Sequence, residues 1–168
     1  MNLRLLPPLL LLLALPACGP DAEPAGRFGL ALTLERAVAD EVQALQVAVV
    51  TRGSSLNCAE VQRTCLSAQT RRDALLVLKD SQGRQGRVLR FPVDLASLQS
   101  GGSLQLAVDV PVGRDYALVI EAITTGTTPT FLGSSCNYLR EVNAGDNSPL
   151  IAAPLTLTGG SCNPSIAP

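Results

Sequence analysis

The sequence of 168 residues predicts an all-β protein, an antiparallel β-sandwich of seven or eight strands that follows a cleaved N-terminal signal peptide. Three observations lead to this prediction. Apolar and polar residues alternate with a period of two along several short segments, which is typical of strands with one buried face. Clusters of Gly, Asp, Asn and Ser separate these segments as turns. A leucine-rich run at the N-terminus has the length of a secretory signal.

The strands are predicted from this alternation, one segment at a time. They lie near residues 27–35, 42–51, 74–80, 86–95, 103–110, 115–124, 130–141 and 150–158. The predicted buried faces carry Phe28, Leu30, Leu32 and Leu34; Leu89, Phe91, Val93 and Leu95; Leu104, Leu106, Val108 and Val110; Leu118, Ile120 and Ala122; and Ile151, Ala153, Leu155 and Leu157. In the strand near 115–124, Ala117, Val119 and Glu121 fall on the opposite face. Short strands with regular turns favour two antiparallel sheets in a sandwich.

In two segments the alternation of apolar and polar residues alone does not decide the prediction. Pro92 lacks a backbone N–H, so the strand near 86–95 is predicted at a sheet edge. Residues 34–50 also place Leu34, Val38, Val42, Leu45 and Val49 at helical spacing, which leaves a helix there as the alternative. We predict a loop followed by a strand, because the stretch VAVV is rich in β-branched residues.

The N-terminus is read as a segment that is removed. Arg4 gives it a positive charge, and an apolar run from Leu5 to Leu15 is broken only by Pro7 and Pro8. A membrane-spanning helix needs about 20 apolar residues, and this run is shorter. A short basic region, an apolar core and small residues after it describe a signal peptide.

The stretch LPAC, from Leu15 to Cys18, resembles the lipobox of bacterial lipoproteins, in which Leu and a small residue precede an invariant Cys. The resemblance implies that the thiol of Cys18 receives diacylglycerol and that a dedicated peptidase cuts before it. Two or three acyl chains on one residue would hold the protein on the membrane permanently. The division of the chain is then signal peptide 1–17, lipidated Cys and flexible tether 18–26, β-sandwich domain 27–158, and C-terminal tail 159–168 with Cys162.

Four cysteines remain once Cys18 is set aside, and they fit an exported chain. An even number of cysteines outside the cytoplasm predicts disulfides, here two. We favour Cys58–Cys65 and Cys136–Cys162, because the first pair closes a short loop. That pairing would forbid one unbroken helix across CAEVQRTC, since seven helical residues span about 10 Å and a disulfide needs Cα atoms closer together. A zinc site is the alternative, but neither spacing has the usual close ligand pair.

The sequence selects no catalytic site. The chain has no His, so triads and Cys–His pairs that use an imidazole base are excluded. Lys79 precedes a predicted turn, where a solvated position is expected rather than a Ser–Lys dyad. The carboxylates single out no acid–base pair, and glycine motifs for nucleotides are absent. We therefore expect no enzyme activity, no catalytic residue and no cofactor.

Binding roles are weakly indicated. A net charge of −1 gives no electrostatic footprint for nucleic acid. Tyr138, beside Cys136, is the best candidate for an exposed aromatic contact, although core packing or a position next to a disulfide is expected to be its commoner role. Asn143, Asp146 and Asn147 offer oxygens for calcium, but the same residues make ordinary turns. We expect no metal site.

The stretch DVPVGRDYALVIEA, with a later VNAGDN turn and a last strand, resembles immunoglobulin-like and carboxypeptidase-regulatory-like (prealbumin-like) β-sandwich modules. The residues that carry this resemblance are Val110, Pro111, Gly113, Tyr116 and Gly145. It covers roughly 103–158 and implies a fold without an active site.

Together these observations predict a lipid-anchored protein of the cell envelope, a non-catalytic structural or protein-interaction module. Gly19 directly follows Cys18, whereas lipoproteins retained in the inner membrane favour Asp there, so the resemblance points to the outer membrane. Its expected partners are membrane lipid, through acylated Cys18, and an envelope protein, but not nucleic acid. An envelope ligand-binding or sensor domain for a glycan, a peptide or calcium is the alternative.

Overall fold

The computed structural model describes residues 24–32, 41–94, 104–148, 150–151, 155–157 and 162–164. The predicted signal peptide, Cys18 and most of the predicted tether lie outside the described residues. So do the predicted core residues Leu34, Leu95 and Ala153.

Within the described ranges the chain is mainly β, as predicted. The strands are β1 (Ala25–Leu32), β2 (Ala44–Thr51), β3 (Leu78–Asp80), β4 (Gln85–Gly86), β5 (Val88–Pro92), β6 (Leu104–Pro111), β7 (Gly113–Ile123), β8 (Phe131–Val142), β9 (Gly145–Asp146), β10 (Leu150–Ile151) and β11 (Thr156–Leu157). Two short helices, α1 (Cys58–Val61) and α2 (Leu66–Gln69), and 3₁₀ turns at Gly53–Ser55 and Arg72–Ala74 complete them. The count of seven or eight strands is not confirmed, because several described strands have only two residues.

The strands form two sheets. The first has the order β10-β1-β6-β3-β4, with β9 also paired to β1. The second has the order β11-β8-β7-β2-β5, and every pairing in it is antiparallel. In the first sheet β9 and β10 run parallel to β1, a departure from the predicted antiparallel pattern. The strand with Pro92 lies at an edge of the second sheet, as predicted.

One apolar cluster joins the two sheets. Phe28, Leu30, Val108 and Val110 reach it from the first sheet, and Leu45, Val47, Val49, Leu118 and Ile120 reach it from the second. The alternation therefore predicted the buried face of β6 correctly, and the face of β7 that carries Leu118 and Ile120 also lies in this cluster. Burial of this many aliphatic side chains, at about 25 cal/mol per Å² of apolar area, is the main favourable term in folding.

The region between 34 and 49 ends in a strand, as we expected. Residues 44–51 are β2, paired with β5 on one side and β7 on the other. The helical alternative is therefore wrong for residues 44–50, and residues 33–40 are outside the described part of the chain.

A second apolar cluster lies on the other face of the second sheet. Ala48, Val50, Ala117 and Val119 point to this face, and Val61, Leu66 and Leu75 cover them from the helical segment. The prediction that Ala117 and Val119 oppose Leu118 is thus confirmed, but the opposite face is also buried. The central strands β2 and β7 are enclosed on both sides, and this enclosure positions the site described next.

Candidate functional site

A short helical segment covers the outer face of the second sheet. We call residues 58–69, which contain α1 and α2, the cap. The side chain of Asn57 accepts a hydrogen bond from the backbone N–H of Glu60 and so begins α1. Helices of four residues are not stable in isolation, so contacts outside the cap must hold it in place.

Two disulfides supply such contacts. Cys58 at the start of α1 is bonded to Cys136 on β8, and Cys65 just before α2 is bonded to Cys162. The favoured pairing Cys58–Cys65 and Cys136–Cys162 was therefore wrong. The physical reason is that both cap cysteines face the sheet and the C-terminal segment rather than each other, so each bridge joins residues far apart in sequence. The backbone N–H of Cys65 also donates to the Sγ of Cys162 at 2.7 Å.

A carboxyl group is buried under the cap. Glu121 on β7 is 1% exposed, and its neighbour across the sheet, Gln46 on β2, is equally buried. One carboxylate oxygen of Glu121 accepts the backbone N–H of Leu66 at 2.7 Å. The other accepts the side-chain amide of Gln46 at 2.7 Å. The Leu66 N–H has no partner within α2, because it opens the helix, so Glu121 satisfies a donor that burial would otherwise leave unpaired.

The network extends from Gln46 in two further directions. Its amide also donates to the backbone carbonyl of Pro164 at 2.8 Å, and its oxygen accepts Nε of Arg90 at 2.9 Å. Ser67 in the cap donates to the carbonyl of Asn163 at 2.8 Å. Residues 162–164 thus close the edge of the cap through one disulfide and two hydrogen bonds.

Burial changes the acidity of Glu121. Loss of water around the carboxyl group raises its pKa to about 6, although the hydrogen bonds from Leu66 and Gln46 and the charge of Arg90 act in the opposite direction. The carboxyl group of Glu121 therefore changes its protonation state at a mildly acidic pH, near 6. Both carboxylate oxygens of Glu121 bond to groups of the cap or the sheet, so this arrangement holds the cap on the sheet.

A second hydrogen bond between the cap and the sheet can be tested by mutation, with a smaller expected effect on stability. The hydroxyl of Ser134 on β8 is fully buried and donates to the carbonyl of Val61 at 3.0 Å. We expect Ser134→Ala to lower the free energy of unfolding by about 1 kcal/mol, measured by thermal denaturation, because the carbonyl stays buried without this donor. Ser67→Ala is the control, since Ser67 bonds at an exposed site. Equal stability of the two variants would contradict the prediction.

Tyr138 lies at the surface, contrary to the core packing expected for it. It is 53% exposed and lies beside Asp115. Ser54 donates to Asp115 through its backbone N–H at 2.8 Å and its hydroxyl at 3.1 Å, and both bonds lower the pKa of Asp115. Desolvation of its hydroxyl and then the nearby Asp115 raise the pKa of Tyr138. The Tyr138 ring and the Asp115 carboxylate thus form an exposed corner, and aromatic side chains of this kind are common at protein–protein contacts.

The turn considered for calcium is tied by its own side chains. Asn147 accepts the backbone N–H of Asn143 at 3.2 Å and donates to the carbonyls of Asn143 and Gly145 at 2.8 and 3.1 Å. Gly145 has φ of +84°, which explains why glycine stands there. Among the described residues no three His, Cys, Asp or Glu side chains are grouped to hold a metal ion.

Two of the residues that carry the module resemblance are in contact. A side chain at Gly113 would collide with the hydroxyl end of Tyr116, so a larger residue there would have to displace the ring from its present position. This contact explains the local spacing G-x-x-Y in physical terms.

A group of arginines, which the sequence did not single out, surrounds Asp73. Arg71, Arg72 and Arg87 line a groove of about 470 Å³ with it. The side chain of Arg87 is held there by the carbonyls of Leu75 and Arg72. Only Arg71 and Arg72 are adjacent in sequence, so a search for basic runs does not find the group.

The sequence around Glu121 carries a signal for its burial. It lies inside the run YALVIEAI, in which apolar residues are continuous instead of alternating. Continuous apolar runs are typical of strands buried on both faces, so a charged residue within one is expected to be buried and partnered.

Comparisons with known proteins give no relative: no family model, no curated protein and no solved structure matches this chain. In the part of the chain that is described, none of the helices has the length and apolar character needed to cross a membrane.

Proposed function

We propose that this protein is a lipid-anchored module of the bacterial cell envelope, a β-sandwich that offers an interaction surface and catalyses no reaction. The observation that carries the proposal is the division of its five cysteines. Four of them are used in the two disulfides of the cap, and Cys18, the fifth, follows Leu15-Pro16-Ala17 in the sequence. Disulfides are typical of exported proteins, and a lipobox is likewise a signal of exported proteins. The two features therefore support the same compartment.

The sandwich itself is supported by the shared core. Side chains from both sheets contribute to one apolar cluster, as in two sheets packed face to face. The resemblance to prealbumin-like modules points the same way. Because Gly19 follows Cys18, we place the anchor in the outer membrane.

A non-catalytic role is supported by chemistry. The chain lacks imidazole, and Glu121, the described carboxyl group with a raised pKa, is occupied by the backbone of Leu66 and the amide of Gln46. The exposed corner of Tyr138 and Asp115 is the surface we propose for a protein partner.

The anchor is tested by fatty-acid labelling in the native host. We expect the wild-type chain to incorporate labelled palmitate and to begin at a diacylglyceryl-modified Cys18, as read by mass spectrometry. Cys18→Ser should incorporate only background label, because serine offers no thiol to alkylate. Gly19→Ala, which keeps the thiol, is the control. Equal labelling of Cys18→Ser and wild type, or no label in either, would refute the anchor.

The alternative, an envelope ligand-binding or sensor domain, is favoured by a groove of about 680 Å³ beside β1 and β6. Thermal-shift measurements with glycans and divalent ions distinguish the two roles. A reproducible, saturable rise in Tm would favour the sensor. Crosslinking to a defined partner in native membranes, lost on Tyr138→Ala, would favour the interaction module.

A further inference from the structure

Basic side chains are concentrated at one end of the molecule. We call Arg52, Arg71, Arg72, Lys79 and Arg87 the arginine face; they line three adjoining grooves that share Asp73. Asp73 is paired with Arg71 at 3.4 Å, and the other carboxylate that lines these grooves, Asp109, is bonded to Arg27 at 3.0 Å, so Arg52, Arg72, Lys79 and Arg87 remain as excess positive charges. The face therefore has an excess of positive charge, although the whole chain has a net charge of −1.

The chain enters the fold at this same end. The backbone N–H of Val112 donates to the carbonyl of Pro24 at 3.1 Å, and β1 begins at Ala25. Ala25 and Val112 both line the largest of the grooves, with Lys79 and Arg87. Five residues of chain separate Cys18 from Pro24, and the six Cα–Cα steps between them, fully extended, span at most about 21 Å.

Apolar side chains accompany the charge. Among the described residues the large apolar side chains that are exposed are Val77, Val112 and Tyr138. Val77 is 48% exposed and Val112 is 41% exposed, and both line this groove. A surface that joins exposed valines to arginines is suited to the boundary between lipid headgroups and water.

We propose that the arginine face docks on anionic phosphate headgroups of the membrane that holds the anchor. This inference rests on the proposed anchoring at Cys18. A guanidinium group binds a phosphate through two parallel hydrogen bonds, and a basic residue close to an anionic membrane contributes about 1 kcal/mol, or roughly fivefold in the docking equilibrium. The short tether keeps the face within reach of the headgroups, so an anionic bilayer is the occupant that the geometry favours over a soluble anion.

Lys79 provides an internal probe, because it is the only lysine in the chain and it lines the largest groove. The full-length chain is purified from membranes in detergent and reconstituted into vesicles of phosphatidylcholine alone or with phosphatidylglycerol. A neutral amine-reactive reagent then labels Lys79, and mass spectrometry gives the rate. We expect labelling to be at least about threefold slower in the anionic vesicles and to recover in 0.5 M salt, which shortens the range of the attraction.

Variants then assign the effect to the arginines. Arg72→Gln should reduce docking about fivefold, and Arg71→Gln combined with Arg72→Gln about 25-fold, so that Lys79 labels alike in both vesicle types. Arg63→Gln is the matched control: it removes one exposed arginine from the cap, away from the three grooves. Protection that survives the double variant, or that Arg63→Gln abolishes equally, would overturn the inference.

The outcomes separate docking from anchoring. A chain that binds both vesicle types with equal Lys79 labelling refutes docking and leaves the anchor intact. A chain without acyl groups that binds only anionic vesicles supports docking and refutes the anchor. Binding to neither refutes both. Protection of Lys79 by inorganic phosphate in neutral vesicles would show a site for a soluble anion and overturn the membrane assignment.

Discussion

Replacing Cys65 and Cys162 together by alanine is expected to lower the free energy of unfolding by about 4 kcal/mol. Their bond joins residues 97 positions apart, and closing a loop of this length restricts the unfolded chain strongly. With Cys58–Cys136 still formed, the shortest path runs seven residues from Cys65 to Cys58 and 26 residues from Cys136 to Cys162. The second bridge therefore closes a shorter effective loop, which keeps the loss below the roughly 4.7 kcal/mol of the chain-entropy estimate for 100 residues.

Urea unfolding followed by circular dichroism measures this loss. Cys58→Ala combined with Cys136→Ala is the matched variant, because it removes a bridge of 78 residues from the same cap and should cost a similar amount. Removing all four cysteines should cost more than either pair alone but less than the two bridges taken as independent long loops. A change below about 1 kcal/mol for either pair would contradict a stabilising role of that bridge.

The strand pattern was predictable because it is a local property. Leu106, Val108 and Val110 alternate with polar or small residues, and each is buried in the shared core. The edge position of β5 followed from Pro92 alone, since a missing N–H limits where a strand can lie. Such features depend on a few neighbouring residues, which a single sequence displays in full.

The cap was not predictable in the same way. Whether Cys58 pairs with Cys65 or with Cys136 depends on where a short helical segment settles over a sheet, and four cysteines allow three pairings. The arginine face could not be predicted for the same reason. Arg52, Arg72 and Arg87 are separated in the sequence, and they line adjoining grooves only after folding. Even so, the sequence indicates the burial of Glu121, because the apolar residues around it are continuous and do not alternate with polar ones.

Glu121→Gln is expected to remove a pH dependence of stability of about 2 kcal/mol. The pKa of Glu121 is about 6 in the folded protein, against 4.5 for an ordinary glutamate. Between these values the folded state holds a proton that the unfolded state has released, so stability falls as the pH rises. The contribution is complete below about pH 4.5 and is lost as the pH rises through about 6.

The measurement is urea unfolding of wild type and Glu121→Gln from pH 4 to pH 7.5, with both disulfides intact. The difference between the two proteins isolates Glu121, because the other carboxyl groups, including Asp80 and Asp115 with their lowered pKa values, are present in both. Glu141→Gln is the control at an exposed position and should change stability by less than about 0.5 kcal/mol at each pH. A difference that does not vary with pH would show that Glu121 is not buried in the way the structure describes.

Burial by the cap is the cause of the raised pKa, and this gives the prediction a second, independent readout. An NMR titration of the Glu121 carboxyl carbon should give a midpoint near 6 in the wild type. In the Cys65→Ala, Cys162→Ala variant the residues 162–164 lose their covalent link to the cap and keep only hydrogen bonds, so water can reach Gln46 and Glu121 more readily and the midpoint should move toward 4.5. An unchanged midpoint in a folded variant would mean that the sheet, and not the disulfide-held cap, keeps the carboxyl group from water.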